Sequence, residues 1–217
     1  MPALFKIPAS EIERRIQNLQ ASMQQSEIEG FLIVQRVDLF YFAGTAQNGF
    51  LYVPAHGNPL LLIKRYAPRA REESSITHII EISSPKDVPG WIIDIYGRLP
   101  NTLAFELDVL PVTHFDFYKQ LFPTKTHMDG SSLIHQARSV KSPWEIEQVE
   151  NTAKLSAKTF EYMETHLKDG YTEMEFAGMF EAFARKIGHG GKLRVRDYQS
   201  EVYPWHVLSG PNSGKMG

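Results

Sequence analysis

Residues 137–146, Ala137-Arg138-Ser139-Val140-Lys141-Ser142-Pro143-Trp144-Glu145-Ile146, mark the point at which the character of the chain changes. Pro143 suits the first position of a helix, where its missing N–H would have no partner anyway. Ser142 before it and Glu145 three residues after Ser142 complete a capping box. Downstream, Ile146, Val149, Ala153, Phe160, Met163 and Leu167 recur at helical spacing and predict a long helix that Gly170 breaks. Thr172 and Glu175 form a second box, and Phe176, Phe180, Phe183 and Ile187 line a second helix ending at Gly188. From Lys192 the pattern alternates as in a strand, with Lys192, Arg194 and Arg196 on one face and Leu193 and Val195 on the other. The sequence then reaches Gly217 through the turn-rich Ser209-Gly210-Pro211-Asn212-Ser213-Gly214. Two helices and the start of a sheet cannot bury their apolar faces alone, so 138–217 is expected to be an incomplete domain.

Upstream the elements alternate. Ser10 and Glu13 are expected to cap a first helix, with Ile12, Ile16, Leu19 and Met23 as its core stripe. Phe31 to Val34 reads as a buried strand. Phe50 to Val53 and Leu60 to Ile63 read as a hairpin across the turn formers Pro54 to Pro59. Tyr66 to Glu73 predicts a short helix and His78 to Ile82 a strand. Trp91, Ile92, Ile95, Tyr96 and Leu99 form an amphipathic helical set, Leu103 to Glu106 a strand, Thr113 to Leu121 a helix and Thr126 to Met128 a last short strand. Strands separated by helices imply an α/β domain over 1–137.

Composition narrows the function classes. Among 217 residues, 23 basic side chains nearly balance 25 acidic ones, which gives no electrostatic reason to expect nucleic acid or a membrane surface as partner. The chain has no cysteine, which excludes disulfides, thiolate metal sites and thiol catalysis and fits a reducing cytoplasm. No apolar run approaches the roughly 18 residues of a spanning helix, and the N-terminus lacks the features of a signal peptide. A cytoplasmic protein is expected.

Chemistry-bearing motifs are sparse. There is no Gly-x-Ser-x-Gly elbow, and the eight histidines include no His-Glu-x-x-His helix. Gly210 to Lys215 has one residue too few between its glycines for a phosphate loop, and Met216 stands where the hydroxyl should be; it reads as a turn. His127 and Asp129 could share a strand face, although a polar strand terminus is the plainer reading. Glu106 and Asp108 follow a strand and read as solvated carboxylates rather than an acid–base couple. The cations Lys192, Arg194 and Arg196 could hold a substrate carboxylate, for which the arginine fork is suited, or form an exposed face paired with Asp197 or Glu201. His206, after Tyr203-Pro204-Trp205, reads equally as a core or a site histidine.

The order of motifs resembles the creatinase/prolidase branch of the pita-bread metallopeptidases. Arg15 to Leu19 and Gly30 to Val34 are similar to the opening helix and strand of that family. Asp38-Leu39-Phe40-Tyr41-Phe42-Ala43-Gly44 resembles its Tyr-Leu-Thr-Gly signature, with Phe and Ala replacing Leu and Thr. Glu106, Asp108, Leu110 and Pro111 resemble its Glu-x-Asp-x-x-Pro strand end. Residues 137–146 resemble its Arg-x-x-Lys-Ser/Thr-x-x-Glu-Ile join, and Gly170 to Glu175 its Gly-x-Thr-Glu-x-Glu. Val207 to Ser213 resembles its Ser-Gly-x-Asn/Arg-Ser turn.

The resemblance implies an α/β fold: a mixed-sheet creatinase-like domain at 1–137, then the first part of an α+β pita-bread domain at 138–217. It implies the N-terminal half of a metal-dependent Xaa-Pro peptidase that acts on peptides with proline in the second position and assembles as a homo-oligomer, a dimer. Two divalent metal ions (manganese, cobalt or zinc) are implied for the full-length protein, held by two Asp, one His and two Glu downstream of the Ser-Gly turn. None of those ligands can be carried over onto this sequence. The chain alone is therefore expected to bind no metal and to be inactive. Its pocket candidates are His206, Arg194 and Arg196, although the family's substrate-side histidine falls near Gly217 rather than before the turn. Two rival readings are a creatinase-type amidinohydrolase, which uses a histidine base and no metal, and a non-catalytic module that dimerises or binds peptide.

Overall fold

The computed structural model describes residues 6–191, 194–196 and 206–214. The chain divides into two compact units, Met1–Val140 and Lys141–Gly217.

The first unit is built on a six-stranded mixed sheet of β1 (Gly30–Ile33), β2 (Gly49–Pro54), β3 (Leu60–Lys64), β4 (His78–Ile82), β5 (Thr102–Phe105) and β6 (Thr126–Asp129), in the order β4-β3-β2-β1-β5-β6. β2 pairs antiparallel with both β1 and β3, while β3–β4, β1–β5 and β5–β6 are parallel pairs. All strands except β2 therefore end at one edge of the sheet. The hairpin predicted from Pro54 to Pro59 is present, as are all the predicted strands of this unit.

Period-two alternation splits the side chains between two layers. Leu32, Phe50, Tyr52, Leu60, Leu62, Leu103 and Phe105 share one face. Over them pack Val88 and Ile92 of the helix α4 (Val88–Tyr96) and Tyr118 and Phe122, at the end of α5 (Val112–Leu121). Gly97, at φ 80°, stops α4 before Leu99, which the sequence pattern had included in the helical set. The opposite layer carries α1 (Ala9–Gln25), which buries Ile12, Ile16, Leu19 and Met23 as its stripe dictates, and packs on α2 (Arg36–Ala43) and α6 (Ser131–Ser139). Gly130 is required where these layers meet, because a Cβ there would lie 2.3 Å from the Phe31 ring. α3 (Ala67–Glu73) lies against β3 and β4.

Two expectations need correction. The Ser10–Glu13 capping box does not form: Pro8, with φ fixed at -54°, is the N-cap and the helix begins at Ala9, so Ser10 already lies inside it. Both α2 and α6 are elements that the periodicity of the sequence does not announce.

The second unit contains α7 (Pro143–His166) and α8 (Glu173–Lys186), each opened by the predicted capping box. The hydroxyl of Ser142 accepts from the Glu145 N–H while the Glu145 carboxylate accepts from the Ser142 N–H at 2.8 Å. Phe176, Phe180 and Ala184 of α8 are buried, and Tyr162 stacks on Phe183 at 4.1 Å. Ile146, Val149, Phe160 and Leu167 of the α7 stripe are exposed. Of the strand predicted from Lys192 to Arg196, residues 192 and 193 lie outside the described residues, and residues 194–196 are not in a strand. Gly210–Asn212 forms a short 3-10 turn, in keeping with the turn reading of that stretch.

Candidate functional site

The carboxyl ends of β1 and β5 are neighbours, and the residues just beyond them form the most chemically loaded cluster of the first unit. Glu106 follows β5, and its Oε2 accepts from the N–H groups of Val34 and Gln35, just past β1, at 2.8 and 2.9 Å. Gln35 caps α2, its side-chain oxygen accepting from the N–H groups of Val37 and Asp38. That start places Asp38 and Tyr41 three residues apart on one helix face. Asp38 Oδ1 accepts from Arg138 Nη1, in the last turn of α6, at 2.5 Å. The Tyr41 hydroxyl donates to the Ala137 carbonyl at 2.9 Å. On the other side, Arg15 Nη1 of α1 donates to the Tyr41 carbonyl at 2.8 Å and its guanidinium lies 4.1 Å from the Tyr41 ring centre. The Arg138 guanidinium lies 5.8 Å from the same centre.

Glu106 is only 2% exposed and Asp38 is fully buried. This overturns the reading of Glu106 as a solvated carboxylate: two backbone donors fold it inward across the strand ends. Burial pushes its carboxyl well above the usual carboxylate range, and the hydrogen bond and charge of Asp38 push the same way. The two backbone N–H groups pull against that shift. Asp108 does stay near the surface, 2.9 Å from His135 Nε2.

These groups are arranged to hold the fold rather than to do chemistry on a substrate. The Tyr41 hydroxyl is committed to a carbonyl, and both acids are closed off from water. His127 and Asp129 also do not converge: His127 Nε2 meets the Phe122 carbonyl, while Asp129 accepts from the Ser131 N–H and hydroxyl. A cleft of about 270 Å³ lined by Glu29, Tyr52, His56, Tyr96 and Arg98 is similarly self-satisfied, since Glu29 takes hydrogen bonds from Asn101 and Arg98. Among the described residues no group of three or more His, Asp or Glu is placed to hold a metal ion, so the two-metal set implied by the resemblance does not fit them. Arg194 and His206 are exposed and Arg196 is half-buried, none of them on regular secondary structure.

Residues 15–140 match the Creatinase/Prolidase N-terminal domain family. The chain belongs to that family. An Xaa-Pro dipeptidase of Pyrococcus furiosus is 23% identical over 183 residues, covering 82% of this chain and 49% of its own length. Among solved structures, an Xaa-Pro dipeptidase from Bacillus anthracis superposes with a TM-score of 0.73 at 20% identity, over 82% of this chain and 50% of that one. The N-terminal domain of the cytoplasmic peptidase PepQ from Mycobacterium tuberculosis matches with a TM-score of 0.51 at 20% identity, over 58% of this chain and 98% of its own. The chain thus has the fold of prolidase N-terminal domains and spans about half the length of the curated relatives it matches. The Asp38–Tyr41, Glu106 and Arg138 motifs of this creatinase/prolidase N-terminal domain, scattered in sequence, meet in one network around two buried acids.

No helix among the described residues is long and apolar enough to cross a membrane.

Proposed function

We propose that the chain is the amino-terminal part of a metal-dependent Xaa-Pro peptidase, an aminopeptidase P- or prolidase-like hydrolase of peptides with proline in the second position. The observation that carries this reading is the family membership of residues 15–140 together with matches to Xaa-Pro dipeptidases that continue beyond Val140. On this reading, 1–137 is the N-terminal domain and 138–217 opens the pita-bread catalytic domain. The capping boxes of α7 and α8, in a unit whose α7 stripe is exposed, support that division. The divalent ions, manganese, cobalt or zinc, belong to the whole protein, and the 217-residue chain alone is inactive. The protein works as a homodimer in the cytoplasm.

Arg194, Arg196 and His206 are assigned to the substrate pocket, the arginines as partners for a peptide carboxylate. Assays of the whole gene product test both parts of the reading. It should hydrolyse an Xaa-Pro dipeptide in a chelator-sensitive way and leave creatine intact, and Arg194→Ala with Arg196→Ala should raise KM. Hydrolysis of creatine instead of the dipeptide would overturn the substrate assignment. An unchanged KM in the double variant would remove the arginines from the pocket.

A further inference from the structure

The network beside β1 and β5 contains two buried acids, and Asp38 is the one that meets a guanidinium. Arginine does not give up its proton in proteins, so Arg138 brings a fixed single positive charge. With both acids ionised, Asp38, Glu106 and Arg138 would together carry one net negative charge among buried carboxyls, an arrangement that proteins relieve by protonation. The oxygens of Glu106 are also not equivalent. Oε2 accepts two backbone N–H bonds, whereas Oε1 is buried and has no hydrogen-bond partner at ordinary geometry. Asp38 stands beside it.

We propose that Asp38 and Glu106 form a proton-binding site, in which one proton on Glu106 Oε1 faces the Asp38 carboxylate at neutral pH and completes the clamp that Arg138 closes. Each atom then has a role. Oε2 is the carbonyl oxygen and takes the backbone donors. Oε1 is the hydroxyl and lies towards the anion. Asp38 keeps its charge for Arg138, and the three side chains sum to zero. The clamp ties the ends of β1 and β5 to the first turn of α2 and the last turn of α6. Asp108 is engaged with His135, Asp129 with Ser131, and Arg15 with Tyr41 and Glu11.

The sign of the pH dependence follows. The folded chain keeps a proton that the unfolded chain releases in the ordinary glutamate range. Stability is therefore fully present below that range and declines as pH rises towards the raised folded value, the unfolding constant growing up to about tenfold per pH unit.

The test is a carbon-13 NMR titration of glutamate side-chain carboxyls in the full chain, with urea unfolding of the wild type and Glu106→Gln in parallel. One carboxyl should remain protonated at about pH 7 and be absent from Glu106→Gln, whose amide supplies a donor where the proton was. That variant should lose the decline in stability above the ordinary glutamate range that the wild type shows. If Glu106→Gln does not fold, the wild-type titration decides alone. A titration in which no glutamate stays protonated above the ordinary value of about 4.3, or an unchanged slope in Glu106→Gln, overturns the proposal.

Discussion

Replacing Arg138 by methionine removes the guanidinium that meets Asp38 at 2.5 Å while keeping most of the apolar stem in place. Asp38 is then a fully buried carboxylate without that ion-pair partner. Removing one member of a buried pair typically costs about 3–5 kcal/mol, because the remaining charge stays desolvated. The Asp38 side chain is 0% exposed, which argues for the full penalty, but that of Arg138 is 30% exposed, so water can partly replace the lost guanidinium. The lower end, about 3 kcal/mol, is the expected loss. Urea unfolding, with amide exchange in β1 and β5 reporting on the first unit, measures it. Asp38→Asn combined with Arg138→Met should cost less than the sum of the two single changes, because the double variant no longer buries a carboxylate that has lost its guanidinium. A loss below about 1 kcal/mol for Arg138→Met, or strict additivity, would refute the clamp as a source of stability.

Two further predictions concern other sites. Ser142→Ala deletes the side-chain acceptor of the α7 capping box and should lower helix stability by about 1 kcal/mol, read as faster amide exchange in the first turn after Pro143. Glu29 is held down at about 2 by the side chain of Asn101 first, then by the Asn101 N–H and Arg98. Its contribution is present above the ordinary carboxylate range and is lost as pH falls towards about 2. Because the side chain is 37% exposed, that contribution is expected to stay under about 1 kcal/mol. Glu29→Gln should therefore be slightly less stable than the wild type in urea at about pH 6, with the difference closing at about pH 2.

Elements whose signal is local were legible in the sequence. The strands at Phe31, Phe50 and Leu60 are apolar runs bounded by turn formers, and Ser142 and Thr172 each stand three residues before a glutamate. α2 was illegible because it is short, buries Asp38 as well as Leu39 and Phe42, and takes its cap from Gln35, outside the usual Ser, Thr, Asp and Asn set. α6 buries only Ser131 and Ile134, too few for a periodic stripe. Ser10 misled because its spacing to Glu13 fits a capping box, whereas Pro8 had already set the helix start. The network at Glu106 failed for a different reason. Its partners at 34, 35, 38 and 138 are far away in sequence, and a strand-end carboxylate looks solvated until the neighbouring strand and two helices close over it. The motifs carrying the family resemblance held the signal, since Asp38, Tyr41, Glu106 and Arg138 all lie in them. No spacing rule joins positions 38, 106 and 138.

Whether this chain is the amino-terminal part of an Xaa-Pro peptidase, inactive by itself, is decided by one side-by-side measurement. Hydrolysis of a single Xaa-Pro dipeptide is followed in the whole gene product and in the 217-residue chain, both with excess manganese and with a chelator control. The whole product should show chelator-sensitive turnover and the chain alone none. Chelator-sensitive turnover by the 217-residue chain, or a whole product that leaves the dipeptide intact, would contradict that reading.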